Sequence, residues 1–286
     1  MSSTEDFFTS FSFEKEIERA EWFKNDLDQG GWKEIHNSPG RVYWRKIFPE
    51  NEVPLKILFK IDLPLSAESY LEMVHPRNLN IRQKWDRVFV GQEMVKTYPD
   101  DQGYILYCPL PTSWPLTDRS FMLFVPPTKE IDWFGKRCFL LIQKNAWHSS
   151  KPPGEDGRVR ATNGGNFFVI SPDENNPNTA CTIFSLSNNN YNGWLPNKHI
   201  EFLLSRAVVS SFNRFLNCMI EGYEKYYKQK WFIRCNDEEP NFWIDLFRPF
   251  YRYGGHSIRF KEYYSMPRGH EHISFVFSSA FREIFS

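Results

Sequence analysis

Residues 54 to 63 read PLKILFKIDL, with Leu55, Ile57, Phe59, Ile61 and Leu63 at every second position and Lys56, Lys60 and Asp62 between them. Side chains change face with period two only in a strand, so this stretch predicts a strand with one buried and one wet face. Similar β-rich runs occur at 41–48, 93–98, 103–108, 119–125, 136–147, 158–170 and 179–187, separated by clusters of Pro, Gly and Asp. Such spacing predicts a meandering antiparallel sheet. After residue 196 the period changes. Ile200, Leu204, Val208, Phe212, Phe215, Met219 and Tyr223 recur at helical spacing, with Pro196 placed to start the helix. About thirty helical residues would span about 45 Å. Phe13, Ile17, Ala20, Phe23 and Leu27 predict a further amphipathic helix over 12–28, stopped by Gly30 and Gly31, and two short helices are expected at 67–75 and 77–85. A large antiparallel sheet followed by one long amphipathic helix implies an α+β layer, with the helix across the sheet's concave face.

The totals narrow the function. The chain has 286 residues, with 35 Lys+Arg against 35 Asp+Glu, so no global basic field exists to hold nucleic acid. Aromatic residues make up 17% of it, as a thick core or a large apolar cavity would require. Five scattered cysteines without a CxxC pair argue against a disulfide framework and a cysteine zinc site, and favour a reducing, cytoplasmic setting. The N-terminus has no signal-peptide pattern, and CFLLI and FMLFV are too short to cross a bilayer. No GxSxG, P-loop, GxGxxG or HExxH spacing occurs, which counts against an enzyme. His270, Glu271 and His272 lack an evident third ligand, so no metal is expected.

Three polar segments stand out: IRQKWDRVF at 81–89, SWPLTDRSF at 113–121 and RVRATNG at 158–164. In IRQKWD, a helix would bring Arg82 and Asp86 together at i and i+4. Taken in order with WKEIH, RVYWRK and the NGWLPNKHIEFLL opening of the long helix, these segments resemble the START lipid-transfer family over roughly residues 20–229. The resemblance implies a helix-grip fold: a curved antiparallel sheet wrapped around a long C-terminal helix, enclosing a lipid tunnel. It implies no cofactor beyond a bound lipid.

By this resemblance Arg82 would meet the lipid phosphodiester inside the tunnel, with Asp86 neutralising and orienting it. In the phosphatidylcholine-carrying member of the family an aromatic cage encloses the quaternary ammonium by cation–π attraction. Here the corresponding positions fall on Cys108, Phe121 and Gly164, and Tyr107 would substitute only after a one-residue shift of register. That argues against a choline cage and leaves open an ethanolamine headgroup, or a lipid sharing only the phosphate. Arg160 and, on the closing helix, Leu204, Val208 and Phe212 complete the expected lining. Trp147, Pro152, Pro153, Trp194 and Leu195 would form the tunnel mouth and touch the membrane. The expected protein is a monomeric, non-catalytic phospholipid carrier, cytoplasmic and transiently at membranes. The alternatives are a lipid-sensing module with a protein partner or a START-like enzyme. Residues 1–230 would form the lipid domain. The aromatic extension 231–286, rich in Phe, Tyr and Trp at 241–253, is expected to pack on it.

Overall fold

The computed structural model describes residues 11–99, 102–111, 117–193 and 200–228, with side chains of the last segment from Arg206 onward. Helix α1 is Phe13–Gln29. Ser12 caps it, its Oγ accepting from Lys15 N at 3.4 Å, while Glu14 and Glu16 sit at the positive end of the helix dipole. Gly30 ends it at φ 91°, a left-handed conformation that a side chain would strain.

Strands β1 Lys33–Ser38, β2 Arg41–Ile47 and β3 Leu55–Leu63 follow. Then come helix α2 Ala67–Val74, a 3₁₀ turn Pro76–Asn78 and helix α3 Leu79–Trp85. The sheet resumes with β4 Glu93–Thr97, β5 Tyr104–Leu110, β6 Arg119–Val125, β7 Lys129–Trp133 and β8 Lys136–Asn145. Short strands β9 Val159–Arg160 and β10 Thr162–Asn163 precede β11 Asn166–Pro172, β12 Cys181–Ser187 and β13 Asn189–Asn190. Helix α4 Ile200–Gly222 ends in a π-helical turn, Tyr223–Tyr227. Among the described residues the main sheet has the order β1-β2-β3-β12-β11-β8-β6-β5-β4, with β7 on β8, β9 on β6, and a separate β10–β13 pair. The pairs are antiparallel except β6 with β9. This is the helix-grip architecture, and the sheet does not close into a barrel.

The expected single strand over 158–170 is three pieces. The run is interrupted at Ala161 and again at Gly164 and Gly165, the latter at φ 99°, and β9 pairs with β6, β10 with β13 and β11 with β8 and β12. Strand β7 was not anticipated, because KEIDW offers only Ile131 and Trp133 to the alternation.

The concave core joins Ile57, Phe59 and Ile61 of β3 and Ile183 of β12 to Phe215, Leu216 and Met219 of α4. Fully burying one such side chain contributes about 1.5–3 kcal/mol. Asn213 ties α4 to the sheet, its Oδ1 accepting from the Tyr43 hydroxyl at 2.6 Å. The opposite face is not open to water. Helix α1 lays Ala20 and Phe23 there in a cluster with Leu58, Leu140, Phe167 and Phe184. Strand β3 is therefore half-buried only at its end, where Lys60 and Asp62 are exposed, and Leu58 is wholly buried. No helix among the described residues is long and apolar enough to cross a membrane.

Candidate functional site

Helix α3 ends where Asp86 leaves helical geometry at φ −76° and ψ 104°. That turn aims the carboxylate back along the helix. Its Oδ2 accepts from Arg82 Nε at 2.9 Å, and its Oδ1 accepts from the backbone amides of Val88 at 2.9 Å and Phe89 at 3.0 Å. The Asp86 side chain is 1% exposed and that of Arg82 is 12% exposed, so this is an interior ion pair. The guanidinium also stacks near Phe215, 5.5 Å from the ring centre, and Trp85, 5.9 Å away. Asp86 thus neutralises and aims Arg82, while α4 supplies an aromatic wall behind it.

Arg82 faces a cavity of about 80 Å³. Part of its lining is apolar, Phe89, Leu106, Cys108, Phe121 and Leu123, and part carries amides, Gln92, Gln143, Asn163, Asn166 and Asn189. The volume is far below the roughly 300–1,000 Å³ of a pocket for a whole drug-sized ligand. Cys108 and Phe121 are direct partners across β5 and β6. Burial pushes the Cys108 thiol up to about 12, so it stays protonated and is no nucleophile.

Not every residue in the expected lining reaches this chamber. Tyr107 is adjacent to Cys108 in β5, so it points to the other face, packing in a cluster with Ile105, Met122 and Phe124. Its hydroxyl donates to Asp156, and Lys151 and Arg160 lie over its ring at 5.2 and 5.6 Å. Arg160 donates from Nη2 to Lys151 O at 3.1 Å and from Nε to Ser120 Oγ at 3.1 Å. The two residues clasp the 147–157 loop on the face away from the cavity. On that loop Trp147 is 42% exposed, and Pro152 and Pro153 are exposed.

Gly164 is a packing position. A Cβ there would come within 2.7 Å of Asn188 Nδ2, the atom that donates to Gly164 O. Val208 and Phe212 pack on the concave core, with the Phe212 ring centre 4.3 Å from that of Phe59. The Leu204 side chain, Trp194, Leu195, Pro196, His270, Glu271, His272 and the extension 231–286 lie outside the described residues. Arg119 is a buried clamp, donating from Nε to Tyr191 O and from Nη2 to Asn192 O, each at 3.2 Å. Among the described residues no group of His, Cys, Asp or Glu side chains is arranged to hold a metal ion.

Gln92, Asn163, Asn166 and Asn189 were not foreseen. They are single polar residues at a loop and at strand ends, without periodicity. Their burial alone marks three of them: Gln92 5%, Asn163 3% and Asn166 8% exposed.

The family model of the START domain matches residues 12–225. The fold is similar to that of human StAR-related lipid transfer protein 5, with a TM-score of 0.59 at 18% identity over 75% of this chain and 97% of that one. It is also similar to human STARD10, at 0.55 and 19%, over 70% of this chain and 76% of that one. A lipid transfer protein fragment from Xanthomonas axonopodis gives 0.51 and 14%, over 68% of this chain and all (100%) of the fragment. No curated protein matches the sequence significantly. At these identities the likeness is one of fold.

Proposed function

From the premise that this chain belongs to the START-domain family, a family of lipid-binding and transfer domains, we propose that it carries one phospholipid, with the phosphate held at Arg82. The observation that supports this is the interior Arg82–Asp86 pair facing a cavity. Only Nε of the guanidinium has a hydrogen-bond partner among the described residues, so the terminal nitrogens are free for two phosphate oxygens. Asp86 makes the buried charge tolerable before lipid arrives, and the planar fork selects a tetrahedral oxyanion by geometry. Acyl chains would follow the apolar wall toward α4. Each methylene withdrawn from water contributes about 0.8 kcal/mol, enough over two chains to balance extraction from a bilayer.

No step in this cycle makes or breaks a covalent bond. The cavity presents one cation, a neutral thiol and amides, which bind and orient without supplying a general base. The exposed Trp147, Pro152 and Pro153 are the proposed membrane-touching edge.

The test is transfer of a fluorescent phospholipid between vesicles. Arg82→Ala lowers loading by about 10- to 100-fold for each charge-assisted bond lost, at about 1.5–3 kcal/mol per bond. Arg82→Lys is intermediate, because an ammonium lacks the fork. Wild-type transfer by both variants would reject the assignment.

A further inference from the structure

The cavity wall holds polar atoms that the fold does not use. Gln92 is 5% exposed, and its Oε1 is buried without a hydrogen-bond partner. Asn163 is 3% exposed; its Oδ1 accepts from Gly165 N at 2.7 Å, which fixes the amide, and its Nδ2 is left buried and unpartnered. Both line the same cavity as Arg82. Buried polar atoms are nearly always satisfied, so two unsatisfied ones on residues that line one chamber point to what a ligand there would bring. Here that is an acceptor for Asn163 Nδ2 and a donor for Gln92 Oε1.

Charge sharpens the requirement. Arg82 is cancelled by Asp86, and the remaining lining side chains among the described residues are neutral. A phosphate alone would leave one negative charge buried, and a ligand that also carries a cation restores neutrality. A trimethylammonium group satisfies the charge but has no N–H to give Gln92, and among the described residues the lining offers only Phe89 and Phe121 as aromatic faces. A glycerol headgroup has O–H donors but no cation. An ammonium that keeps an N–H meets both conditions.

Resting on the phospholipid-carrier reading above, we propose that Gln92 and Asn163 make this cavity selective for a phospholipid whose amine headgroup keeps an N–H. Asn163 Nδ2 joins Arg82 on the phosphate, and Gln92 Oε1 accepts from the ammonium.

The experiment is competitive transfer by the full chain from vesicles holding equal amounts of phosphatidylethanolamine, its N-methyl and N,N-dimethyl forms, phosphatidylcholine and phosphatidylglycerol. The ethanolamine lipid and its N-methyl and N,N-dimethyl forms, each of which keeps an N–H, are expected to lead, with a fall of about tenfold at the trimethylated form, the cost of one unmet buried hydrogen bond. Gln92→Met should bring the two ends of the series within about twofold. Asn163→Asp keeps the bond to Gly165 but sets a carboxylate toward the phosphate, and should depress every member. Equal wild-type transfer along the series, a choline or glycerol preference, or an undiminished amine preference in Gln92→Met would each overturn the proposal and leave the carrier reading standing. Failure to transfer any of the five would overturn both.

Discussion

Replacing Asp86 by Asn separates an interior ion pair from a surface one. Asparagine keeps an oxygen where Oδ1 accepts from Val88 and Phe89, so the turn after α3 retains its cap. It places an amide donor against Arg82 Nε, where Oδ2 accepted at 2.9 Å. The lost quantity is the pair itself, and the guanidinium, 12% exposed, stays behind uncompensated. Breaking a buried pair this way costs about 3–5 kcal/mol, whereas an exposed pair is worth about 0–1 kcal/mol. The residual exposure of Arg82 puts the cost near the lower figure, about 3 kcal/mol. For a domain of this size each kcal/mol moves the melting temperature by about 2–4 °C, giving a fall of about 6–12 °C. Lipid-free protein is unfolded by heat and by urea, with the single variants Asp86→Asn and Arg82→Met and the double variant. Removing both charges should recover stability to within about 1 kcal/mol of wild type, a coupling that a surface pair would not show. A loss below about 1 kcal/mol for Asp86→Asn, or additive losses in the double variant, would refute the interior-pair reasoning.

Other positions give further expectations. Gly222 lies where α4 meets Trp85, and a Cβ there would sit 2.5 Å from the indole Cγ, so Gly222→Ala should cost about 1–3 kcal/mol in urea unfolding; an unchanged midpoint would show the crossing is loose. Gly164→Ala should cost a similar amount, about 1–3 kcal/mol, by displacing Asn188, whose Oδ1 holds Lys56 Nζ at 2.7 Å, and a neutral result would contradict that packing. Burial, with Arg77 assisting, pushes His75 down to about 4 from 6.5. The unfolded chain binds the extra proton first, so stability is full above about pH 6.5 and falls as pH drops toward 4. His75→Asn, which keeps an acceptor for Arg77 N, should flatten this part of the melting profile against pH, and parallel profiles would rule the histidine out.

Elements with strong local periodicity were legible. The alternation of β3, the 3.6 period of α4 and the i,i+4 spacing of Arg82 and Asp86 are local properties, and each appears at the expected place. The two faces of a strand were harder to read. Tyr107 and Cys108 are adjacent, so only one of them could enter the cavity, and the pairing of β5 with β6 turns Cys108 inward. Arg160 was expected in the lining from the resemblance of RVRATNG, whereas β9 ends at Arg160, pairs in parallel with β6 and carries Arg160 to the loop side. The burial of Leu58 depends on α1 folding back over the sheet, a long-range event with no trace in PLKILFKIDL. The amide wall was hidden for the same reason. A lone Gln92 or Asn163 carries no periodic signal, and only tertiary burial distinguishes it from a surface residue.

The central claim is that one phospholipid occupies the interior with its phosphate on Arg82. Native mass spectrometry of the purified chain beside its Arg82→Met variant tests it directly, because released adducts are identified by mass and fragmentation. The expected result is a one-to-one phospholipid adduct on the wild type that yields a phosphate-bearing headgroup fragment and is lost or strongly depleted in Arg82→Met. An adduct of equal occupancy on both proteins, or a bound lipid without phosphate, would contradict it.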